Sequence, residues 1–296
     1  MPQANIQELF TEVETKFYEM PSPVLKSDTL IPLGTPIPRG AQTYRYYKQT
    51  GIGMAAMIDD HSQNIPTVSI AVTPVDETIE NVLTSYDFSV SDLESANYAQ
   101  QNLDMSQLSE ARKAIAFASD KFWLTGERQQ GGSATNKGLI NNPNVTLATS
   151  GKHVSAMTYD EVKAMVIAMT LDGVNKVNKD TVKVDSIILP RSIYGLLVEK
   201  NVSTLVDTSW LQGLKNRFPE ITLWDYLDEL ETAGTGGTKR AIAYKRDASY
   251  IRRRNQIPFE TRPVQETNFI YHTPCRARLG GCDIIRPTTI MYMDNL

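Results

Sequence analysis

GLINNPNVTL, residues 138–147, spells a turn in unusual detail. A glycine opens it, two asparagines precede a proline, and a strand-like apolar pair follows. Glycine and asparagine tolerate positive φ, and Pro143 constrains the backbone behind them. Gly138, Asn141, Asn142 and Pro143 therefore read as a structural joint at which the chain changes direction. The stretch holds no obvious chemistry, so its meaning depends on what it joins.

Upstream lies the clearest helical signal in the chain. Leu108, Ala111, Ile115, Ala118 and Phe122 recur at helical spacing, predicting a helix over about 105–125, roughly 30 Å long. Gly126 stops it, and the linker ERQQGGSATNK leads into the joint. Further back, TYRYYKQ and VSIAVTPVDETIENVLTSYDFSV flank a polar, glycine-punctuated stretch. Residues 43–86 are thus expected to form one long β-hairpin with a mobile tip. Such a ribbon is marginal alone and must lie on something. Five prolines in residues 20–40 exclude a helix or a central strand there, so this segment is read as an extended apolar arm. Ile6, Leu9, Phe10, Val13 and Phe17 predict a short amphipathic helix before it.

Downstream the elements alternate. Thr158 and Glu161 form a capping box that opens a helix over 158–176. VDSIILP (184–190) is a buried strand ended by proline, RSIYGLLVEK (191–200) a helix, and ITLWDYL (221–227) a strand. TAGTGGTK (232–239) is a loop, and strand-like segments follow to the end. The class is α+β, with no internal repeat.

Composition excludes several functions. The net charge is −4 over 296 residues, which argues against a chain that is basic as a whole. The N-terminus lacks the pattern of a signal peptide, and no apolar run reaches the length of a membrane span. The expectation is a soluble chain made in a cytoplasm. Cys275 and Cys282 are read as buried thiols. His61, His153 and His272 are scattered, and no GxSxG, HExxH or CxxC occurs. GIGMAA (51–56) and GTGGTK (234–239) lack the helix that a phosphate-binding turn requires. Asp59, Asp60 and His61 read as a solvated turn. No catalytic residue, metal or cofactor is expected.

The arginines are more informative. Lys245, Arg246, Arg252, Arg253 and Arg254 crowd one region, and on a strand Arg252 and Arg254 share a face that Arg253 does not. Carboxylates on a neighbouring chain are the favoured partners; solvated charges and nucleic acid are the other two readings. An N-terminal helix, an apolar arm and a long ribbon likewise expose surface that self-association would cover.

This order of elements resembles the major capsid proteins of tailed bacteriophages, which share the Hong Kong 97-like fold. GLINNPNV (138–145) resembles the turn that leaves their spine region. VDSIILPRSIYGLL (184–197) is similar to their strand–proline–helix segment, and RARLGGCDIIRPTTIMYMD (276–294) to their final strands. The resemblance implies an N-terminal arm (1–42), an extended loop (43–86) and a peripheral domain (87–145 and 261–296) with the spine helix. An axial domain (146–260) completes the set. It implies self-assembly into hexamers and pentamers of an icosahedral virion shell enclosing double-stranded DNA, contacted non-specifically if at all. Scaffolding, portal and decoration proteins are the other implied partners. The expected inter-subunit contacts are Tyr44, Tyr46, Lys48, Asp59, Asp60, Arg252, Arg253 and Arg254. The lysine–asparagine crosslink of some relatives is not carried over, because no acceptor asparagine and glutamate match. Two alternatives stand beside this reading: an encapsulin-type nanocompartment shell, and a soluble enzyme using the Asp/His or Arg cluster.

Overall fold

A computed structural model describes residues 24–52, 67–91, 94, 98, 103–127, 137–203 and 206–296. The amphipathic stretch expected at 5–19 and the turn holding Asp59, Asp60 and His61 lie outside the described residues.

The arm is not extended throughout. Between Pro23 and Pro32 the chain has room for one helical turn, α1 (Ser27–Leu30), whose first amide donates to the Asp120 carboxylate at 2.7 Å. A proline-free window long enough for one turn is what the sequence reading overlooked. Leu30 and Ile31 are fully buried, and the Tyr244 hydroxyl donates to the Leu30 carbonyl at 2.8 Å. The surface along which the arm packs is thus its own chain's core.

β1 (Thr43–Ile52) and β2 (Ser69–Thr78) form the antiparallel ribbon, in register from Thr43 opposite Thr78 to Ile52 opposite Ser69. The ribbon ends sooner than expected. The Ile79 amide closes its base on the Gln42 carbonyl at 3.0 Å, and the chain departs as β3 (Glu80–Ser89) to pair elsewhere. α2 (Leu103–Thr125) is the expected long helix, about 35 Å at 1.5 Å per residue, and buries Ala111, Ile115 and Phe122. Gly126 adopts φ +71° just past its end, the left-handed conformation that glycine accepts without strain.

After the joint come β4 (Thr146–Thr149) and α3 (Tyr159–Met169), with the Thr158–Glu161 capping box formed. A π-helical turn, Thr170–Asn175, extends α3. Then follow β5 (Ser186–Pro190), α4 (Arg191–Glu199), a small hairpin of β6 (Asn201–Ser203) and β7 (Val206–Ser209), and α5 (Trp210–Arg217). β8 (Leu223–Leu227) and β9 (Arg240–Tyr244) complete the middle of the chain. β10 (Ile251–Thr261), β11 (Gln265–Thr267), β12 (Ile270–Ile284) and β13 (Ile290–Asp294) end it.

Two sheets organise the body. β4, β13, β9, β5 and β8 lie side by side in a mixed sheet. Its three central strands, β13, β9 and β5, are buried on both faces, so residues of alternate parity enter different cores. Ile188, Ile242, Tyr244, Ile290 and Tyr292 meet Leu30, Ile115 and Phe122 on one side. Ile187, Leu189, Ala241, Ala243, Met291 and Met293 meet α3, α4 and α5 on the other. In the second sheet β12 is central, with β10 and β11 on one edge and β3 on the other.

This pairing cuts across the division expected at residue 260. Residues 251–260 belong with β12, while 290–294 sit between β4 and β9 in the mixed sheet. Division by sequence order cannot see strands that return to an earlier sheet. The strand-like stretches SYIRRRN and PFET run together as one continuous β10. Its register shifts between Arg253 and Asn255, Asn255 and Ile257, and Ile257 and Glu260. Pro258 falls within the last of these irregularities, where a missing ladder donor costs least.

Candidate functional site: the joint and the ribbon root

A helix leaves its last four carbonyls without intrahelical donors. In α2 each receives one. The Gly126 amide donates to Phe122 at 2.7 Å, Leu139 to Trp123 at 3.1 Å and Ile140 to Leu124 at 3.1 Å. The Asn141 side-chain amide donates to the Thr125 carbonyl. The quoted stretch is therefore a C-terminal cap supplied from across a linker. Its residues avoid positive φ, contrary to the expected turn chemistry. Gly138 is required instead by close approach: a Cβ there would lie 2.1 Å from the Leu124 carbonyl oxygen. Asn142 and Pro143 open a β-turn in which the Asn144 amide donates to the Asn142 side-chain oxygen at 3.0 Å.

The cap is fastened to the mixed sheet. Arg240 grips Asp294 with two parallel hydrogen bonds of 2.6 and 2.9 Å, and its remaining nitrogen donates to the Ile140 carbonyl at 2.8 Å. The Thr235 amide and hydroxyl also donate to Asp294, at 2.7 and 2.9 Å. Burial opposes charge on Asp294, but the Arg240 fork and Thr235 donors overcome it and hold the carboxyl below its usual range. The Tyr292 hydroxyl donates to the Leu139 carbonyl.

The second node is the root of the ribbon. Asp283, almost fully buried on β12, accepts from the Tyr44 hydroxyl at 2.5 Å, from Arg252 at 3.1 Å and from Arg254 at 2.9 Å. The Arg254 guanidinium also lies 5.1 Å from the centre of the Tyr44 ring, and that of Arg252 6.0 Å from the Tyr46 ring. Gly280 leaves room for this approach, since a Cβ there would sit 2.9 Å from Arg254 Cβ and from Ile37. Arg253 points the other way, pairing with Asp28 at 2.7 Å and donating to the Ile31 carbonyl at 3.1 Å.

The expected contact residues are thus redistributed. Strand alternation separates Arg253 from Arg252 and Arg254 as anticipated, but the carboxylates they meet belong to their own chain. Tyr44 and Tyr46 are buried in the ribbon root, where burial pushes both hydroxyls well above their ordinary value. Lys48 sits half-buried with its ammonium 5.9 Å from the Tyr46 ring. The opposite face of the ribbon is the free one. Tyr47, Ile70 and Val72 are 64%, 59% and 57% exposed, and the register sets Tyr47 opposite Pro74, with Val72 and Ile70 following on the same side.

The sequence reading missed Asp283, Asp294 and Arg240. The signal was present, because an acidic residue inside CDII or MYMD must find a partner if the strand is buried. Among the described residues, no group of three His, Cys, Asp or Glu side chains is placed to hold a metal ion. No helix of the described residues is long and apolar enough to cross a membrane. The nodes are strong fasteners; neither offers a nucleophile beside a base.

Comparison with known proteins accords with this architecture. A family model described as major capsid protein matches residues 53–296. No curated protein sequence matches the chain. Among solved structures, the capsid of Myoviridae phage XM1 is similar at 16% identity and a TM-score of 0.82, covering 98% of each chain. The capsid of an empty GTA particle is similar at 8% identity and a TM-score of 0.69, over 96% of this chain and 94% of that one. A virus-like particle from Pyrococcus furiosus is similar at 10% identity and a TM-score of 0.58, over 90% of both chains. At these identities the likeness is one of fold.

Proposed function

The chain belongs to the major capsid protein family, and from that premise we propose how this subunit of a phage head builds its shell. Copies of it self-assemble into hexamers and pentamers that close an icosahedral virion shell around double-stranded DNA. The observation that carries this reading is the ribbon: its root is fastened by buried charge, while its outer face is an apolar stripe of Tyr47, Ile70 and Val72. An apolar stripe left exposed by the described residues on a two-stranded ribbon calls for a surface to cover it. In a shell it lies over a neighbouring subunit, burying area without demanding one fixed docking angle, which suits subunits in slightly different environments.

In this reading residues 24–42 are the arm and 43–78 the extended loop. β3, α2, β10, β11 and β12 build the peripheral domain, and the mixed sheet with α3, α4 and α5 the axial domain. The role is structural and non-enzymatic. An enzyme built on the arginine cluster is disfavoured because Arg252, Arg253 and Arg254 are all engaged by internal carboxylates or main-chain carbonyls. The subunit is made in the host cytoplasm. A separate scaffolding protein, a portal, decoration proteins and loosely contacted DNA are its other partners.

A nanocompartment shell is the second reading, favoured by the likeness to the virus-like particle; purified shells lacking DNA and carrying protein cargo would select it. Deleting about residues 50–65 tests the ribbon's role. The expected product is a folded subunit, seen by circular dichroism, that light scattering shows not to form shells. Normal shells from the deletion would remove the ribbon from the account.

A further inference from the structure

The ribbon root holds a carboxyl that the fastening does not use. Glu77 on β2 stands directly opposite Tyr44 on β1, so both side chains face Asp283. It borders a cleft of about 110 Å³ lined also by Tyr46, Lys48, Lys137, Asn142 and Cys282. Glu77 is half-buried there, and its carboxyl makes no hydrogen bond or ion pair with any described residue. Apart from Lys48 and Lys137, the titratable and charged groups described around it are committed or neutral. Arg252 and Arg254 are held by Asp283, Tyr44 donates to Asp283, and burial keeps Tyr46 and the Cys282 thiol protonated. Lys48 is the cation that favours charge on Glu77, and Lys137 also lines the cleft.

We propose that Glu77 makes the ribbon root a proton-linked latch: the carboxyl seats as the neutral acid, and its ionisation loosens the ribbon from the body. Burial pushes the seated carboxyl up to about 7, the nearby charge of Asp283 adds to this, and Lys48 opposes it. A lifted ribbon returns Glu77 to water and to its ordinary value of 4.5. Seating therefore takes up a proton between these limits. It is strongest in mild acid, weakens as pH rises toward neutrality, and changes no further above about pH 7. The inference goes beyond shell formation, since it concerns one chain's ribbon and needs no neighbour.

Hydrogen exchange of the purified full chain tests it. Rates for ribbon amides in 44–49 and 72–77, each divided by its intrinsic rate, are compared between pH 5 and 8. Because Glu77 is only half-buried, screening by water limits the expected rise in the opening equilibrium to about tenfold. Glu77→Gln is expected to hold the acid value at every pH. Lys48→Met is expected to move the transition to higher pH, which keeps the test intact if the first variant fails to fold. A flat wild-type profile, an unchanged slope in Glu77→Gln, or an unmoved midpoint in Lys48→Met would each overturn the latch. A chain that forms no shells yet keeps this profile would remove the assembly reading and leave the latch standing.

Discussion

The side-chain amide of Asn141 donates to the main-chain carbonyl of Thr125, closing α2 from 16 residues downstream. Cap and helix are separated by a linker, so helix end, joint and mixed sheet become one unit. Through Arg240 the same joint is tied to the last strand of the chain.

Gly138→Ala tests the closeness of that joint. The added Cβ would meet the Leu124 oxygen at 2.1 Å and the Thr125 carbonyl carbon at 2.6 Å, both backbone atoms that cannot swing aside. The expected loss is about 3 kcal/mol, read by urea denaturation of the unassembled subunit. Gly151→Ala, where a Cβ meets nothing within 4 Å, serves as the control. Its expected change is within about 0.5 kcal/mol.

Asp294→Asn removes the charge that Arg240 grips in the buried interior. An uncompensated buried guanidinium costs about 3–5 kcal/mol. The folded-state value of Asp294 is depressed, so its contribution is fully present above the unfolded carboxylate range, about pH 4. It is lost as pH falls through the folded value. Wild type and variant should therefore differ most near neutrality and converge in acid, as denaturation curves at a series of pH values would show.

Reversing charge at both Arg252 and Arg254 places two carboxylates against buried Asp283. The expected result is a marked fall in the melting temperature of the unassembled subunit, measured by calorimetry. Unchanged melting with failed assembly would instead return these arginines to an inter-subunit contact.

The contrast between those outcomes shows what was legible. The long helix, the capping box at Thr158, the strand–proline–helix at 184–199 and the alternation of Arg252, Arg253 and Arg254 are local patterns, and local patterns can be read directly. The joint at Gly138 was visible as a special place, but its cause was not, because the Leu124 carbonyl lies outside the local window. Asp283 and Glu77 escaped notice for the same reason: their surroundings are set by β12 meeting β10 and by the ribbon folding over both. The boundary placed at residue 260 follows chain order, which does not register that β10 pairs with β12 and that β13 lies between β4 and β9.

Tyr47→Ser with Val72→Ser thins the apolar stripe on the ribbon's free face. Both side chains are more than half exposed, so subunit melting should change little. Assembly should weaken, with the concentration needed for shells rising at least tenfold by light scattering. A variant that assembles at the wild-type concentration would remove the stripe from the contact surface.

Electron microscopy of the purified protein tests the central claim most directly. The account predicts closed icosahedral shells whose capsomers are hexamers and pentamers, with the ribbon of each subunit lying across its neighbour. Compact monomers or dimers at micromolar concentration, with no rings or shells, would contradict it.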